Sequence, residues 1–128
     1  QMIEFISNYI EHSDKRGSFL GLVNFGNWKE INIICSEADT VRGNHYHKNT
    51  DELFLILEGK IKITLQKVLN YKALDNEKKT FNVQEGDVFL IKKNVNHIFE
   101  IIEYSKWINV LSKKLNKDKP DVHRIINS

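Results

Sequence analysis

Seven short segments rich in Ile, Val, Leu and Phe run through this chain, separated by polar or glycine-bearing turns. They are "SFLGLVNF" (18–25), "EINIIC" (30–35), "LFLIL" (53–57), "KIKITLQKV" (60–68), "DVFLI" (87–91), "IFEII" (98–102) and "WINVL" (107–111). β-branched and aromatic residues suit a pleated, half-buried surface. In "KIKITLQ", Ile61, Ile63 and Leu65 share one face, and Lys60, Lys62, Thr64 and Gln66 share the other. That period of two is a strand period. Gly59 in "LEGK" and Gly86 in "QEGD" stand where turns need positive φ, and "LDNEKK" (74–79) is a polar hairpin turn. No stretch before residue 112 has a helical period, so an all-β sandwich or barrel is expected. The tail "SKKLNKDKPDVHRIINS" (112–128) leaves room for one short helix, and its lysines read as a solvated surface.

The 128 residues form one expected domain, 1–128, long enough to bury a core. Apolar residues make up 41% and charged residues 28%, a soluble, globular balance. A net charge of +2 gives no field for nucleic acid or acidic membranes, and no apolar run is long enough to span a bilayer. The opening residues lack the pattern of a signal peptide. The single cysteine, Cys35, makes no internal disulfide and fits a reducing, cytoplasmic setting; its place after "INII" predicts a buried small residue.

The stretch "RGNHYHKNTDELFLILEG" (42–59) carries the chemistry. Two residues apart on a strand, His45 and His47 point the same way, with Asn44, Tyr46 and Lys48 opposite. A bend after His47 returns Glu52 toward the imidazoles. His97 ends "GDVFLIKKNVNH" and opens the next strand. Three imidazoles and a carboxylate suit a first-row divalent metal such as Zn, Fe, Mn or Ni. The alternative is a lumen without metal, in which the histidines are free for proton transfer. His12 and His123 lie outside these motifs and are expected to be exposed. Trp28 and Trp107, near strand ends, are expected in the core or in a dimer contact.

The order His-x-His, four residues, Glu52, six residues, Gly59, then Gly86, ten residues, His97, resembles the two motifs of the cupin superfamily. The resemblance implies a single-domain cupin: a double-stranded β-helix, or jelly-roll barrel. It also implies that His45, His47, Glu52 and His97 converge on one metal in the lumen. The second motif departs from the family pattern, with Lys92, Asn94 and Ile101 where proline, glycine and asparagine usually stand.

"DKRGSF" (14–19), "TVRGNHYHK" (40–48) and the tail residues Asp118, Asp121 and Arg124 narrow the likeness. They resemble the dTDP-4-keto-6-deoxyglucose 3,4-ketoisomerases and, more distantly, the 3,5-epimerases of deoxysugar pathways. Val122 and Ile126 stand near positions where that group usually has tyrosines. The ketoisomerases usually carry glutamine at the position of Glu52 and look metal-free. Glu52 restores the metal set, as in the cupin domain appended to a capsule-sugar reductase.

The resemblance implies an isomerase or epimerase of a nucleotide-linked keto-deoxysugar. His45 and His47 would be its acid and base, with ordinary imidazole pKa values of about 6.5. With metal bound those nitrogens are occupied, and Tyr104 is the remaining candidate base. Arg42, Arg16 and Lys48 would contact substrate, and Arg42 has the fork suited to a diphosphate. The other reading of Arg42 is a surface ion pair with Asp14. Competing functions are a dioxygenase-like metal cupin and a non-catalytic small-molecule binder, because this barrel hosts many chemistries. Residues 2–10, "MIEFISNYI", fit an edge strand exchanged with a partner, so a homodimer is expected.

Overall fold

A computed structural model describes residues 1–125 and shows two five-stranded antiparallel layers packed face to face. The strands are β1 (Ile3–Phe5), β2 (Ile10–Asp14), β3 (Gly17–Gly21), β4 (Glu30–Ser36), β5 (Val41–His45) and β6 (Glu52–Glu58). They continue with β7 (Lys60–Leu69), β8 (Ala73–Leu74), β9 (Lys79–Gln84), β10 (Val88–Ile91), β11 (Val95–Ile101) and β12 (Ser105–Leu111). One sheet runs β1-β10-β6-β12-β4. The other runs β5-β11-β7-β8, with β9 also paired to β7. A separate ribbon joins β2 and β3. This is an all-β jelly-roll barrel, the fold that the two motifs imply.

The core lies between the sheets. Phe54, Ile56, Phe89, Ile91 and Trp107 from the first meet Ile61, Ile63, Leu65, Phe99 and Ile101 from the second, all nearly inaccessible to water. The alternation in β7 behaves as its sequence predicts: Ile61, Ile63 and Leu65 point in, while Lys60 and Lys62 point out. Each large side chain buried in this way contributes about 1.5–3 kcal/mol. Gly59 and Gly86 both take positive φ, at +100° and +91°.

Four expectations fail. No helix forms in the tail among the described residues; residues 112–125 wrap over the barrel as loop, with a single bridge between His123 and Tyr46. Ile126 and the residues after it fall outside the described part. Residues 2–10 are not one exchanged strand: Ile3–Phe5 pairs with β10 of the same chain, and Met2 and Ile3 bury their side chains in its core. Cys35 is exposed, because β4 is an edge strand whose period puts Asn32, Ile34 and Ser36 inward and Ile31, Ile33 and Cys35 outward. His123 is only partly exposed, held against Tyr46 and Asp121. His12 is exposed as expected, and Trp107 lies in the core.

Candidate metal centre in the lumen

The site spans both layers. His45 ends β5 and sits opposite His97 on β11, so the two imidazoles are cross-strand neighbours, with ring centroids 4.7 Å apart. A register shift follows His97, where Gly43 takes φ +86°. A side chain at Gly43 would meet the His97 carbonyl at 2.6 Å, so the bulge needs glycine. Glu52 comes from the opposite sheet, as the first residue of β6. His47 stands in the loop between β5 and β6, which folds the carboxylate back over the histidines.

One ligand atom each from His45, His47, Glu52 and His97 lies within 4.8 Å of the others. Glu52 Oε1 is 2.7 Å from His47 Nε2 and 3.3 Å from His97 Nε2. The short approach to His47 lacks hydrogen-bond alignment. His45 Nδ1, His47 Nε2 and Glu52 Oε1 are all buried, and none makes an aligned hydrogen bond. Buried polar atoms left in this condition are costly, and a shared cation would satisfy all three.

Electrostatics sets their protonation. Burial pushes His45 down to about 3, helped by the neighbouring His97 and His47. Burial also lowers His97. For Glu52, burial acts upward, but the facing His47 and His97 and the Asn109 amide outweigh it and hold the carboxyl at about 2. For His47, burial acts downward, and the Glu52 carboxylate beside it outweighs burial and raises it. His45 and His97 are therefore neutral, and Glu52 is ionised, at neutral pH. These are the states in which imidazole and carboxylate ligate metal.

The residues around the cluster fix it. His47 Nδ1 donates to the Asp121 carbonyl at 2.6 Å, and His97 Nδ1 faces the Val95 carbonyl at 3.2 Å. The Asn109 amide donates to Glu52 Oε2 at 2.7 Å. Asn109 was not anticipated, although a polar residue at an inward position of "WINVL" signals it. A cavity of about 150 Å³ opens over the cluster. His45, Glu52, His97 and Asn109 form its polar part, and Ile34, Phe54, Phe99 and Trp107 its apolar wall.

The remaining candidates separate. Arg42 lines the cavity; its Nε donates to Ser36 Oγ and its Nη2 to the Cys35 carbonyl, rather than to Asp14. Arg16 lies in the β2–β3 turn, paired with Asp14 at 2.6 Å and largely exposed, outside the cavity. Lys48 places its ammonium 4.9 Å from the Tyr71 ring centroid, also outside. Tyr104 sits in the turn before β12, 40% exposed, and does not line the cavity; its hydroxyl meets Cys35, which raises its pKa. Tyr104 follows the bend at residues 102–103, beyond the end of β11. No helix of the described residues is long and apolar enough to cross a membrane.

Similar proteins share this frame. A 3,4-ketoisomerase from Helicobacter canadensis superposes with a TM-score of 0.75 at 23% identity, over 97% of this chain and 92% of its own. The capsular polysaccharide assembling protein CapF from Staphylococcus aureus superposes at 0.67 and 22% identity, over 91% of this chain and 34% of its own. At such identities the likeness is one of fold. A UDP-2-acetamido-2,6-beta-L-arabino-hexul-4-ose reductase from Pseudomonas aeruginosa is 28% identical over 58 residues. That match takes in 45% of this chain and only 16% of the reductase. Residues 12–121, nearly the whole barrel, match the family described as the polysaccharide biosynthesis C-terminal domain, and the chain belongs to that family.

Proposed function

We propose that the lumen isomerises or epimerises a nucleotide-linked keto-deoxysugar of the dTDP-4-keto-sugar type, for cell-surface polysaccharide or deoxysugar synthesis. The observation that carries this reading is a pair of imidazoles, His45 and His47, set side by side at the cavity that His45 lines. His45 is neutral, and His47, 5.1 Å away between ring centroids, is favoured in its charged form by Glu52. Titratable groups whose environments push them apart are suited to divide acid and base roles. Moving a proton next to a carbonyl needs an acceptor and a stabilised enolate oxygen. In protein without a bound ion, His45, on the cavity wall, accepts the proton and His47 returns one; with the ion bound both imidazoles are occupied and another group must serve as base. Arg42 keeps an Nη1 donor free of the Ser36 and Cys35 contacts, which suits a phosphate or sugar oxygen at the mouth. Arg16, Lys48 and Tyr104 stand outside the cavity and take no part in this step.

We also infer that His45, His47, Glu52 and His97 hold a divalent metal ion. The three buried atoms without aligned partners support it, as do a neutral His45 and an ionised Glu52. Such an ion would polarise the substrate carbonyl as a Lewis acid. The ligand set equally suits dioxygenase-like chemistry, which is the second reading. A homodimer is supported by the outer face of the first sheet, where Ile31 and Ile33 are 68% and 60% exposed beside Ile108 and Val110. The free, exposed Cys35 fits a reducing cytoplasm.

One paired experiment tests the reading. Metal content is measured in untagged wild type and in Glu52→Gln. Both are then given a dTDP-4-keto-6-deoxysugar in D₂O, and deuterium is followed at the carbon beside the carbonyl. Near-stoichiometric metal that is lost in the variant, with deuterium gained by wild-type turnover, is the expected result. Deuterium gain without metal leaves the chemistry to the histidine pair. Metal without deuterium gain overturns the isomerase reading in favour of the dioxygenase-like one.

A further inference from the structure

The tail segment around Asp121 makes contacts that the proposed chemistry does not use. Its carboxylate Oδ1 accepts from the Lys48 amide at 3.0 Å. Its Oδ2 accepts from the Asn49 amide at 2.8 Å and from Thr50 Oγ1 at 2.9 Å. His123 Nε2 stands 2.8 Å from Oδ1. Asp121 is thus a cap for three consecutive residues of the loop joining His47 to Glu52. The same residue's carbonyl takes the His47 Nδ1 proton at 2.6 Å.

The segment is itself tied down on both sides. Tyr46 N donates to His123 O at 2.9 Å, and His123 N donates to Tyr46 O at 3.0 Å. Arg124 Nη1 donates to the carbonyls of Gly43 and Asn44 at 2.9 and 3.1 Å. Tyr46 points away from the lumen yet is only 2% exposed, because His123 and Tyr71 cover it. Residues 121–124 therefore clasp the first motif from Gly43 to Thr50.

A neutral imidazole carries one N–H, and a carbonyl can only accept. A carbonyl fixed at Nδ1 draws an N–H there and turns Nε2 toward Glu52 Oε1, 2.7 Å away, so the carbonyl and the carboxylate compete for the proton of a neutral ring. We propose that Asp121 is a positioning residue for the lumen: by clamping the 48–50 loop it holds its own carbonyl on His47, and so sets the ring orientation of that ligand and biases its proton toward Nδ1. The part of the proposal that concerns metal affinity rests on the reading of the four-residue cluster as a metal site. The part that concerns the tautomer does not.

The test uses the full chain, with Asp121→Ala and Asp121→Asn. The side-chain nitrogens of His47 are read by ¹⁵N NMR in metal-free protein, at a pH where the imidazole is neutral. Wild type is expected to hold more of the Nδ1–H tautomer than Asp121→Ala, in which Glu52 alone draws the proton to Nε2. Asp121→Asn, which keeps acceptor oxygen for the loop amides, is expected to recover most of the wild-type signal. It also serves if the alanine variant fails to fold. Zn²⁺ titration calorimetry on the same proteins is expected to show affinity about 10–100-fold weaker in Asp121→Ala. An unchanged tautomer, or equal zinc affinity in folded wild type and Asp121→Ala, overturns the proposal. If wild type takes up no zinc, the metal reading fails while the tautomer comparison still decides the role of Asp121.

Discussion

Asn109 and Glu52 lie diagonally across adjacent strands of one sheet, Glu52 opposite Leu111 and Asn109 opposite Phe54, and the Asn109 amide donates to Glu52 Oε2 at 2.7 Å while Oε1 turns to the histidines. One carboxylate is thereby divided into an anchored oxygen and an offered one. Asn109→Leu would leave Oε2 buried without a donor, at a cost of about 1–3 kcal/mol. The expected result is a lower urea midpoint with unchanged slope in metal-free protein, together with weaker zinc binding. Retention of both wild-type values would show that the amide does not hold the carboxylate.

Metal-free protein is expected to lose stability on acidification, starting near neutral pH. His45 binds its proton less readily when folded, at about 3 against an ordinary 6.5. Its contribution is complete above 6.5 and erodes as pH falls toward 3. Glu52 and Asp121 are held at about 2, against 4.5 and 3.8, so their contributions erode further down. His47 is raised and works the other way, adding stability on the acid side of its ordinary value. With His45 and His97 lowered and His47 alone raised among the histidines of the cluster, the net slope is toward acid lability. Urea midpoints at three pH values between 8 and 4.5 should fall in order. A midpoint that rises between pH 7 and 5 would contradict this balance.

Gly43→Ala tests the bulge that brings His97 beside His45. The added Cβ meets the His97 carbonyl at 2.6 Å and also inherits φ +86°. Gly86→Ala is the control: its φ of +91° is similar, but nothing lies within 4 Å of the new Cβ. Backbone strain of this kind costs about 1–3 kcal/mol. Gly43→Ala should exceed Gly86→Ala in lost thermal stability and should alone weaken zinc binding. Equal behaviour would mean that the close approach has no consequence for the site.

The outward isoleucines of β4 give the prediction on assembly. Wild type is expected to scatter light as a dimer, and the double variant Ile31→Lys, Ile33→Lys as a monomer with unchanged zinc uptake. A monomeric wild type would end the homodimer reading.

Much of this architecture was legible because the strand signals are strong where both faces matter. The segments 60–68 and 107–111 carry buried side chains mainly along one face and became β7 and β12, and 53–57, buried on both, became part of β6. β9 was missed because it is a half-solvated strand that buries only Val83 well, with Phe81 partly covered, so its period is faint. Spacing was enough to collect His45, His47, Glu52 and His97, because period-two geometry and a single loop decide where those side chains meet. Asn109, Ser36 and the clasp of Asp121 were out of reach. Each depends on which distant strand or tail packs alongside, and one chain's local pattern does not encode that. Cys35 was misjudged for a related reason: an apolar run on an edge strand does not say which of its faces is inside.

The bond between His47 and Asp121 joins positions 74 apart. During synthesis, β5 and β6 leave the ribosome long before the residue that orients their histidine. Chains emerge at about 5–20 residues per second, so several seconds pass in which the barrel can begin to form around an unoriented His47. A nascent chain stalled before Asp121 would therefore carry all four candidate ligands and still lack a finished site.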